Sequence, residues 1–473
     1  MTGIYAIHNI INNKYYIGQA GNIHNRWIQH KSRLKCQNHE NKHLQASYNK
    51  YGKDAFQYFV IEECDVEFLD DKEMLGLKNA IKNGKIDAID FKINYSKIIN
   101  SSRESISKIR DGLSFLMTKN KIEVINATAC FKNDKEVELT YSDNSKDTIT
   151  FNDLIIATGS TPRELPNIKV NGKNVHSSKT FLTNETMPKN ALVIGSGAIG
   201  LEFASFLNAL GVNVTILEAL DKVMPQADST ISNTLKRLLQ DRGITIFTSA
   251  SITKFENIND DIINITFTDK KGVENSLTFD TCIASVGVIP NTKNIGLENT
   301  SVNVTERGFI IVDNKMKTTA SNIYAIGDVV GAPTLAHVAS REALIASHAI
   351  CNIESNLNKD VIPYGTYSFP QVASVGLTEE QAKEKGLNYK SVRFPFAANG
   401  KAVVSESEEG LIKLIFDADT RKILGCHIIQ EDAVELITEI VLAINNNLTL
   451  DDITKTIHSH PTLSEAISDV CNL

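Results

Sequence analysis

Short, mainly apolar stretches recur along the chain from residue 191 onward, and most of them end at a glycine or an acid. Such stretches occupy residues 191–194, 280–286 and 323–326. A continuous apolar run of this length is typical of a parallel strand that is buried on both faces. Amphipathic stretches with helical spacing, such as residues 335–350, follow two of these strands. The alternation predicts an α/β fold built around parallel sheets.

The pattern differs in three other parts of the chain. Residues 1–75 combine an alternating hairpin, amphipathic helical stretches and one further strand, which predicts a small α+β domain. From residue 361 to the end, strands alternate with two helices and predict an α+β interface domain. Residues 95–119 predict one long amphipathic helix. The predicted buried stripe of that helix consists of Ile98, Ile99, Ile106, Ile109, Leu113, Phe115 and Leu116.

Composition places the chain among ordinary globular proteins. It has 473 residues, of which 42% are hydrophobic and 22% charged, and this length favours three or four domains. No basic, apolar leader is recognisable at the start and no apolar run reaches membrane-spanning length, so a cytoplasmic location and no membrane association are expected. Residues 1–60 contain eight Lys or Arg against two acids, although the whole chain has a net charge of −7. The basic head and the acidic body are therefore expected to meet different partners.

Gly195, Gly197 and Gly200 follow the strand at 191–194 in G-x-G-x-x-G spacing. In a dinucleotide site these glycines allow a sharp turn, close approach of a pyrophosphate and close packing of the following helix on the strand. Glu218 ends the next predicted strand, where an acid can accept a hydrogen bond from a ribose 2′-hydroxyl. Glycine-rich turns also occur without nucleotides, but the ordered set predicts an NAD site. A carboxylate here would repel a 2′-phosphate, which favours NAD over NADP.

Two other strand ends carry polar residues. Ser160 follows the buried strand that ends in Ala157-Thr158-Gly159, and Asp328 follows the strand at 323–326. Ligands bind at such strand ends in open α/β sheets. An acid in this position is also common as a helix cap, so a flavin-binding role and a capping role for Asp328 both remain open.

Near the C-terminus, His460 precedes Glu465 in the sequence His-Ser-His-Pro-Thr-Leu-Ser-Glu. A histidine oriented by a carboxylate is a general acid or base that works near neutral pH. Thr462 and Glu465 also have the spacing of a capping box, so Glu465 could instead cap a helix.

The first 62 residues contain a second set of chemically useful side chains: Tyr5, Tyr16, Arg26, His30 and Glu62. Such a set suits phosphodiester cleavage, in which a carboxylate binds a divalent cation and a phenol or imidazole activates water. The alternative is that the two tyrosines only pack a small sheet.

In its order of motifs, this first segment resembles the GIY-YIG nucleases. The matching sequences are GIY, YIG, the helix with Arg26 and His30, HLQASYNKYG and FQYFVIEE. The resemblance implies that Tyr5, Tyr16, Arg26 and His30 are catalytic. It also implies that Glu62 binds Mg²⁺ and that the basic segment binds DNA.

From about residue 75 onward the chain resembles dihydrolipoamide dehydrogenases of the FAD/NAD disulfide oxidoreductase family. The matching sequences are ATGS, IGSGAIGLEFAS, IYAIGDV, FPFAANGKA and HSHPTLSEA. The resemblance implies NAD at the glycine motif and Glu218, FAD at Ser160 and Asp328, and His460 oriented by Glu465 as the base. It also implies a homodimer that serves a lipoyl-bearing complex.

Members of that family begin with a flavin-binding strand, a glycine motif of its own and a C-x-x-x-x-C redox pair. The seven cysteines here are scattered, and no two lie within five positions of each other. The nuclease-like segment takes the place of these elements. We therefore expect weak or lost FAD binding, impaired dithiol turnover, and unpaired backbone along residues 323–326.

The predicted domains are a nuclease-like domain (1–75), a partial FAD domain (76–168), a doubly wound NAD-binding Rossmann domain (169–290), the rest of the FAD domain (291–360) and a dimerisation domain (361–473). The main functional hypothesis is an impaired FAD/NAD oxidoreductase. The alternatives are a metal-dependent DNA endonuclease with the reductase part as a passenger, and a fused reading frame without an integrated activity.

Overall fold

A computed structural model describes residues 2–9, 14–20, 23–37, 42–51, 56–64, 93–354 and 359–473. Before residue 93, the described side chains are those of residues 29–37, 45, 46 and 48–50. The chain forms two units, one of residues 1–110 with 185–187 and the other of residues 111–184 with 188–473.

The first unit contains a three-stranded antiparallel sheet with the order β2-β1-β3. Its elements are β1 (Thr2–Asn9), β2 (Lys14–Ala20), helix α1 (Ile23–Lys35), helix α2 (Lys42–Tyr51) and β3 (Phe56–Cys64). This is the hairpin, helical region and returning strand that the alternation of residues predicts.

Helix α3 (Tyr95–Lys119) has the predicted length, but most of its apolar stripe is not buried. Ile99 is 7% exposed, whereas Ile109 is 72% and Phe115 65% exposed. The prediction of a buried stripe is therefore wrong beyond the first two turns, because amphipathic spacing does not by itself provide a covering surface. Within the part of the chain that the structure describes, no helix is both long enough and apolar enough to cross a membrane.

The NAD-type domain is built on a five-stranded parallel sheet with the order β12-β11-β10-β16-β9. The strand order reverses at β10, which makes the carboxyl end of β10 the place where a ligand is expected. Ala191, Leu192 and Val193 in β10 are 0% exposed, as predicted for a strand that is covered on both faces. The elements are β9 (Val175–Ser177), α4 (Ser178–Phe181), β10 (Asn190–Ile194), α5 (Ala198–Ala209), β11 (Asn213–Leu217), α6 (Ser229–Asp241), β12 (Thr245–Phe247), the antiparallel β13 (Ser251–Asn259), β14 (Ile262–Thr268) and β15 (Glu274–Phe279), and β16 (Thr281–Ala284).

The part predicted to belong to a flavin domain contains a meander and two short strand pairs. Strand β7 pairs in parallel with β18, and β8 pairs antiparallel with β17. The elements are β4 (Thr128–Asn133), β5 (Glu136–Thr140), β6 (Lys146–Thr150), β7 (Leu154–Ile156), β8 (Ser160–Pro162), β17 (Val288–Pro290), β18 (Ile323–Ala325) and α7 (Ala336–Ile350).

The expectation that residues 323–326 would have unpaired backbone is wrong. One edge of β18 pairs with β7. On the other edge, Ala325 N donates to Met316 O at 3.0 Å and Thr318 N donates to Ile323 O at 2.9 Å. A returning segment before β18 therefore supplies the second set of backbone partners.

The C-terminal domain consists of a five-stranded antiparallel sheet with the order β19-β20-β23-β22-β21, together with short helices and one long helix. The strands are β19 (Tyr364–Thr366), β20 (Gln371–Gly376), β21 (Tyr389–Pro395), β22 (Leu411–Asp417) and β23 (Ile423–Gln430). The helices are α8 (Glu379–Glu384), α9 (Gly400–Val404), α10 (Ala433–Asn445), α11 (Leu450–Thr454) and α12 (Glu465–Cys471).

A buried ion cluster joins this domain to the NAD-type domain. The Lys413 ammonium, on β22, lies 2.7 Å from Asp228 Oδ2 and 2.6 Å from Glu379 Oε2, and the Lys413 side chain is only 1% exposed. Asp228 also caps α6 by accepting from Thr230 N at 2.9 Å. Burial opposes ionisation of Asp228, but the hydrogen bond and charge of Lys413 outweigh it and keep the pKa of this carboxyl below its usual value.

We predict that Lys413→Met lowers the free energy of unfolding by about 3–5 kcal/mol, because it leaves the Asp228 carboxylate buried without its cation. The matched control is Lys146→Met, which removes a lysine that is 60% exposed and paired with Glu138; it is expected to leave the urea midpoint close to that of wild type, because exposed ion pairs contribute little. Urea unfolding followed by circular dichroism measures both. Equal midpoints for the two variants would contradict the prediction.

Candidate functional site

The glycine motif forms the turn between β10 and α5. Gly195 has a φ of +99°, which an L side chain rarely adopts, and a Cβ added there would lie 2.4 Å from Ser285 O. A Cβ on Gly200 would lie 2.1 Å from Gly195 O. Gly195 thus allows the turn and Gly200 allows the helix to pack closely, as the spacing predicts.

Gly197 has a different environment. It is the N-cap of α5, and a Cβ added there would meet no protein atom within 4 Å. The first turn of α5 contains no acidic residue, so its free N–H groups and the positive end of the helix dipole suit an anionic ligand. The open space at Gly197 fits a pyrophosphate that lies against the backbone.

Glu218 follows β11 and reaches back to this turn. Its Oε2 accepts from Ser196 N and from Ser196 Oγ, both at 2.7 Å, and its Oε1 accepts from Leu220 N at 2.8 Å. The residue is 7% exposed. A carboxylate has about four acceptor positions, so these three bonds leave one for a further hydroxyl group. Glu218 therefore fixes the glycine turn and can still bind a ribose.

The two predicted flavin residues are brought together, although they lie 168 positions apart in sequence. Ser160 Oγ donates to Asp328 Oδ2 at 2.6 Å. Asp328 lies in a 3₁₀ turn, while the N-cap of α7 is Leu335. Asp328 is therefore not the cap of that helix. Its position at the ends of β7 and β18 favours the ligand-binding alternative over the capping one.

Two residues that support this region were missed by sequence reasoning. Asn291 binds the turn before Ser160: its backbone N donates to Gly159 O at 3.0 Å and its Nδ2 donates to Thr158 O at 2.9 Å. Glu342, on α7 and 7% exposed, accepts from Gly327 N at 2.7 Å. The Pro-Asn pair in a loop indicates a turn at Asn291 and could have drawn attention to it. Nothing in the sequence indicates that Glu342, an acid in an amphipathic helix, is buried.

The predicted acid–base pair is formed. His460 Nδ1 lies 2.8 Å from Glu465 Oε1, and the other oxygen of Glu465 accepts from Thr462 N at 2.8 Å. The two alternatives for Glu465 therefore coexist, since one oxygen orients the histidine and the other stabilises the turn. Because a carboxylate only accepts, Nδ1 carries the hydrogen and Nε2 is left for chemistry. The His460 side chain is 79% exposed.

The Glu465 carboxyl is held in its ionised form. Its pKa is lowered by the hydrogen bond from Thr462 N–H first, then by the hydrogen bond to His460, and also by the charges of His460 and His458. An ionised Glu465 accepts the hydrogen bond from His460 Nδ1 and so keeps the imidazole ring oriented.

The described cysteines do not form a redox pair. All six whose side chains are described are free: Cys36, Cys130, Cys282, Cys351, Cys426 and Cys471. Burial raises the pKa of the Cys282 and Cys426 thiols, and it raises that of Cys471 to about 12. These three buried thiols are neutral near pH 7 and therefore poor nucleophiles.

The predicted nuclease residues lie mostly outside the described side chains. For Tyr5, Tyr16, Arg26 and Glu62 only the backbone is described: Tyr5 is opposite Gly18 and Val60, and Glu62 is opposite Ile4. The side chain of His30 is described and is 2% exposed. Among the described residues, no group of three or more His, Cys, Asp or Glu side chains is arranged to bind a metal ion.

Comparison with known families gives two matches. Residues 19–343 match the pyridine nucleotide-disulphide oxidoreductases, and residues 362–471 match the dimerisation domain of the same family.

Similar proteins of known identity include several dihydrolipoyl dehydrogenases. The protein from Corynebacterium glutamicum is 40% identical over 385 residues, which span 80% of this chain and 81% of that protein. The protein from Bacillus subtilis is 36% identical over 381 residues, or 80% of each chain.

Solved structures with the same fold include LpdA from Mycobacterium tuberculosis, with a TM-score of 0.77 at 23% identity over 85% of this chain and 87% of that one. The HOCl-induced flavoprotein disulfide reductase RclA from Escherichia coli has a TM-score of 0.73 at 26% identity over 80% of this chain and 86% of that one. By family match and by sequence identity to its relatives, this chain belongs to the pyridine nucleotide-disulphide oxidoreductases, and it is an oxidoreductase of the dihydrolipoyl dehydrogenase type.

Proposed function

We propose that the chain is an NAD-linked flavoprotein whose ancestral reaction is dihydrolipoamide + NAD⁺ → lipoamide + NADH + H⁺, and that dithiol turnover is impaired in it. The observation that carries the proposal is the joint presence of the glycine turn with Glu218 and the His460–Glu465 pair, in a chain whose cysteines have no C-x-x-x-x-C spacing.

The nucleotide part of the proposal rests on the turn at Gly195, Gly197 and Gly200. The open side of Gly197 would receive the pyrophosphate, and the remaining acceptor position of Glu218 would receive a ribose hydroxyl. A 2′-phosphate beside the buried Glu218 carboxylate would be repelled, which supports NAD rather than NADP.

The flavin part rests on Ser160 and Asp328. Both are polar and partly exposed at the ends of β7 and β18, and they would hold FAD through the hydroxyl and the carboxylate. FAD would supply two-electron transfer between a dithiol and the nicotinamide. We infer weak binding, because the described parallel sheet beneath this site has only the two strands β7 and β18.

The acid–base part rests on His460. Its exposed Nε2 is suited to accept a thiol proton, with Glu465 fixing the ring. Oxidation of a dithiol by this route needs a disulfide in the enzyme, and the chain has no closely spaced cysteine pair. His460 therefore keeps its hydrogen bond to Glu465, although the chain has no thiol pair from which it could take a proton.

The proposed partners follow from the C-terminal domain. Residues 362–471 match a dimerisation domain, from which we infer a homodimer. Several relatives are dihydrolipoyl dehydrogenases, so a lipoyl-bearing complex is the proposed physiological partner.

We propose a second activity for residues 1–75, namely Mg²⁺-dependent DNA cleavage, with the reductase part as a passenger. It is supported by the element order β1-β2-α1-α2-β3, by the central position of β1 in the sheet, and by eight Lys or Arg against two acids in residues 1–60. In this proposal Glu62 binds the metal, and the other four residues act on the phosphodiester, namely Tyr5, Tyr16, Arg26 and His30.

For the nucleotide site we predict different effects for two Gly→Ala substitutions. Gly197→Ala keeps the thermal midpoint but weakens NADH binding about tenfold or more, because the methyl group enters the pyrophosphate space; about 1.4 kcal/mol corresponds to that factor. Gly200→Ala loses both stability and binding, because its Cβ meets Gly195 O. Gly112→Ala, where a Cβ meets nothing within 4 Å, is the control. Isothermal calorimetry with NADH and thermal unfolding measure the two effects, and wild-type NADH affinity in Gly197→Ala would refute the site.

For the reaction we predict that purified protein with added FAD binds NADH but forms no NADH from NAD⁺ and dihydrolipoamide above the background of a His460→Gln control. The physical reason is that the chain has no closely spaced thiol pair to exchange with the substrate. Absorbance at about 340 nm follows the reaction, and an authentic dihydrolipoyl dehydrogenase serves as the positive control. Sustained NADH formation that His460→Gln abolishes would show that dithiol turnover is intact.

For the second activity we predict that the full chain converts supercoiled plasmid to nicked or linear DNA with Mg²⁺ and not with EDTA. Glu62→Ala should abolish this cleavage, because it removes the proposed metal ligand. Glu40→Ala, at an acid that no motif includes, is the control and should cleave like wild type. Equal cleavage by Glu62→Ala and wild type would identify a contaminating nuclease.

A further inference from the structure

The loop that carries His460 is largely exposed, with one exception. Ile457 is 97% exposed and the His460 side chain is 79% exposed. Between them, the His458 side chain is only 8% exposed. His458 therefore anchors a segment whose other side chains face solvent.

His458 contacts an acid that belongs to another element. Its Nε2 lies 3.0 Å from Glu439 Oε1 and 3.3 Å from Glu439 Oε2, on helix α10. Its Nδ1 lies 3.1 Å from the carbonyl oxygen of Thr456. Because a carboxylate only accepts hydrogen bonds, His458 Nε2 carries the hydrogen in its contact with Glu439.

The other side of His460 is fixed as well. The Thr462 carbonyl accepts from Asn399 Nδ2 at 3.1 Å. Asn399 is 2% exposed and caps α9 by accepting from Ala402 N at 3.0 Å. In the sequence, His460 thus lies midway between two anchored residues. His458 is bonded to α10 and Thr462 is bonded to the residue that begins α9.

We propose that His458 and Glu439 are a positioning pair, which holds the loop so that His460 keeps its Nδ1 on Glu465 and its Nε2 directed outward. The inference deepens the proposed function, on which it rests for the role of His460. Neither residue touches the reacting atoms, and they act through the backbone of residues 458–460.

The effect is geometric. The 2.8 Å contact between His460 Nδ1 and Glu465 Oε1 fixes the ring only while the loop holds His460 at this distance. A displacement of about 1 Å in a catalytic group can cost about a hundredfold in rate. On the N-terminal side of His460 the exposed loop is fixed by the bond from His458 to α10, just as Thr462 fixes it on the C-terminal side.

The test uses the full chain and does not depend on turnover. The variants are Glu439→Ala, which removes the acceptor, Glu439→Gln, which keeps an acceptor oxygen, and His458→Leu, which removes the donor. Glu435→Ala, at an exposed glutamate one turn earlier on the same helix, is the matched control. Thermal midpoints within a few degrees of wild type show that each variant is folded.

Two quantities are measured at about pH 8, where an unperturbed imidazole is mostly neutral. The first is hydrogen exchange at the Thr462 amide, which donates to Glu465 Oε2. The second is the imidazole ¹⁵N spectrum of His460, assigned with His460→Gln, which shows whether the hydrogen is on Nδ1.

In Glu439→Ala and His458→Leu we expect about tenfold faster exchange at Thr462, from the loss of a hydrogen bond to a charged group, and a mixture of His460 tautomers. Glu439→Gln and Glu435→Ala should retain wild-type values. The proposal is overturned if Glu439→Ala leaves both quantities unchanged, if exchange rises equally along β22, or if Glu439→Gln behaves like Glu439→Ala. Failure of the protein to bind NADH, or sustained turnover that His460→Gln abolishes, would refute the proposed function and leave this result standing.

Discussion

One fully buried ammonium group joins the NAD-type domain to the C-terminal domain. Lys413 is 1% exposed, and its charge is balanced by Asp228 and Glu379. Asp228 also caps α6. The same carboxylate therefore holds a helix of one domain and a strand of the other, and separating them would leave Asp228 without its cation.

At each candidate site, as at Asp228, a carboxylate fixes a turn by accepting hydrogen bonds from backbone N–H groups. Glu218 holds the glycine turn, Glu342 holds Gly327, and Glu465 holds Thr462. Such bonds to ionised acceptors are about twice as strong as neutral ones. Each of these turns is therefore stabilised by hydrogen bonds within the protein.

The sequence was most informative where the physical requirement is local. The role of Gly195 follows from its own positive φ and that of Gly200 from a contact with Gly195 O, and His460 with Glu465 lies within one short loop. It was least informative where partners are distant: Lys413 and Asp228 are 185 positions apart, and nothing near either residue indicates the other.

The stripe on α3 was wrongly expected to be buried because periodicity describes one surface and not its partner. The pairing of β18 was missed because the returning segment at Met316 has no strand-like pattern.

The buried thiols have a practical meaning for the study of this molecule. Cys282 belongs to the core beneath the parallel sheet, and Cys426 belongs to the core of the C-terminal domain; both are 0% exposed. An alkylating reagent reaches such a thiol only when the surrounding core opens. The two cysteines are thus built-in probes, whose labelling rates separately report how often each domain unfolds in the native protein.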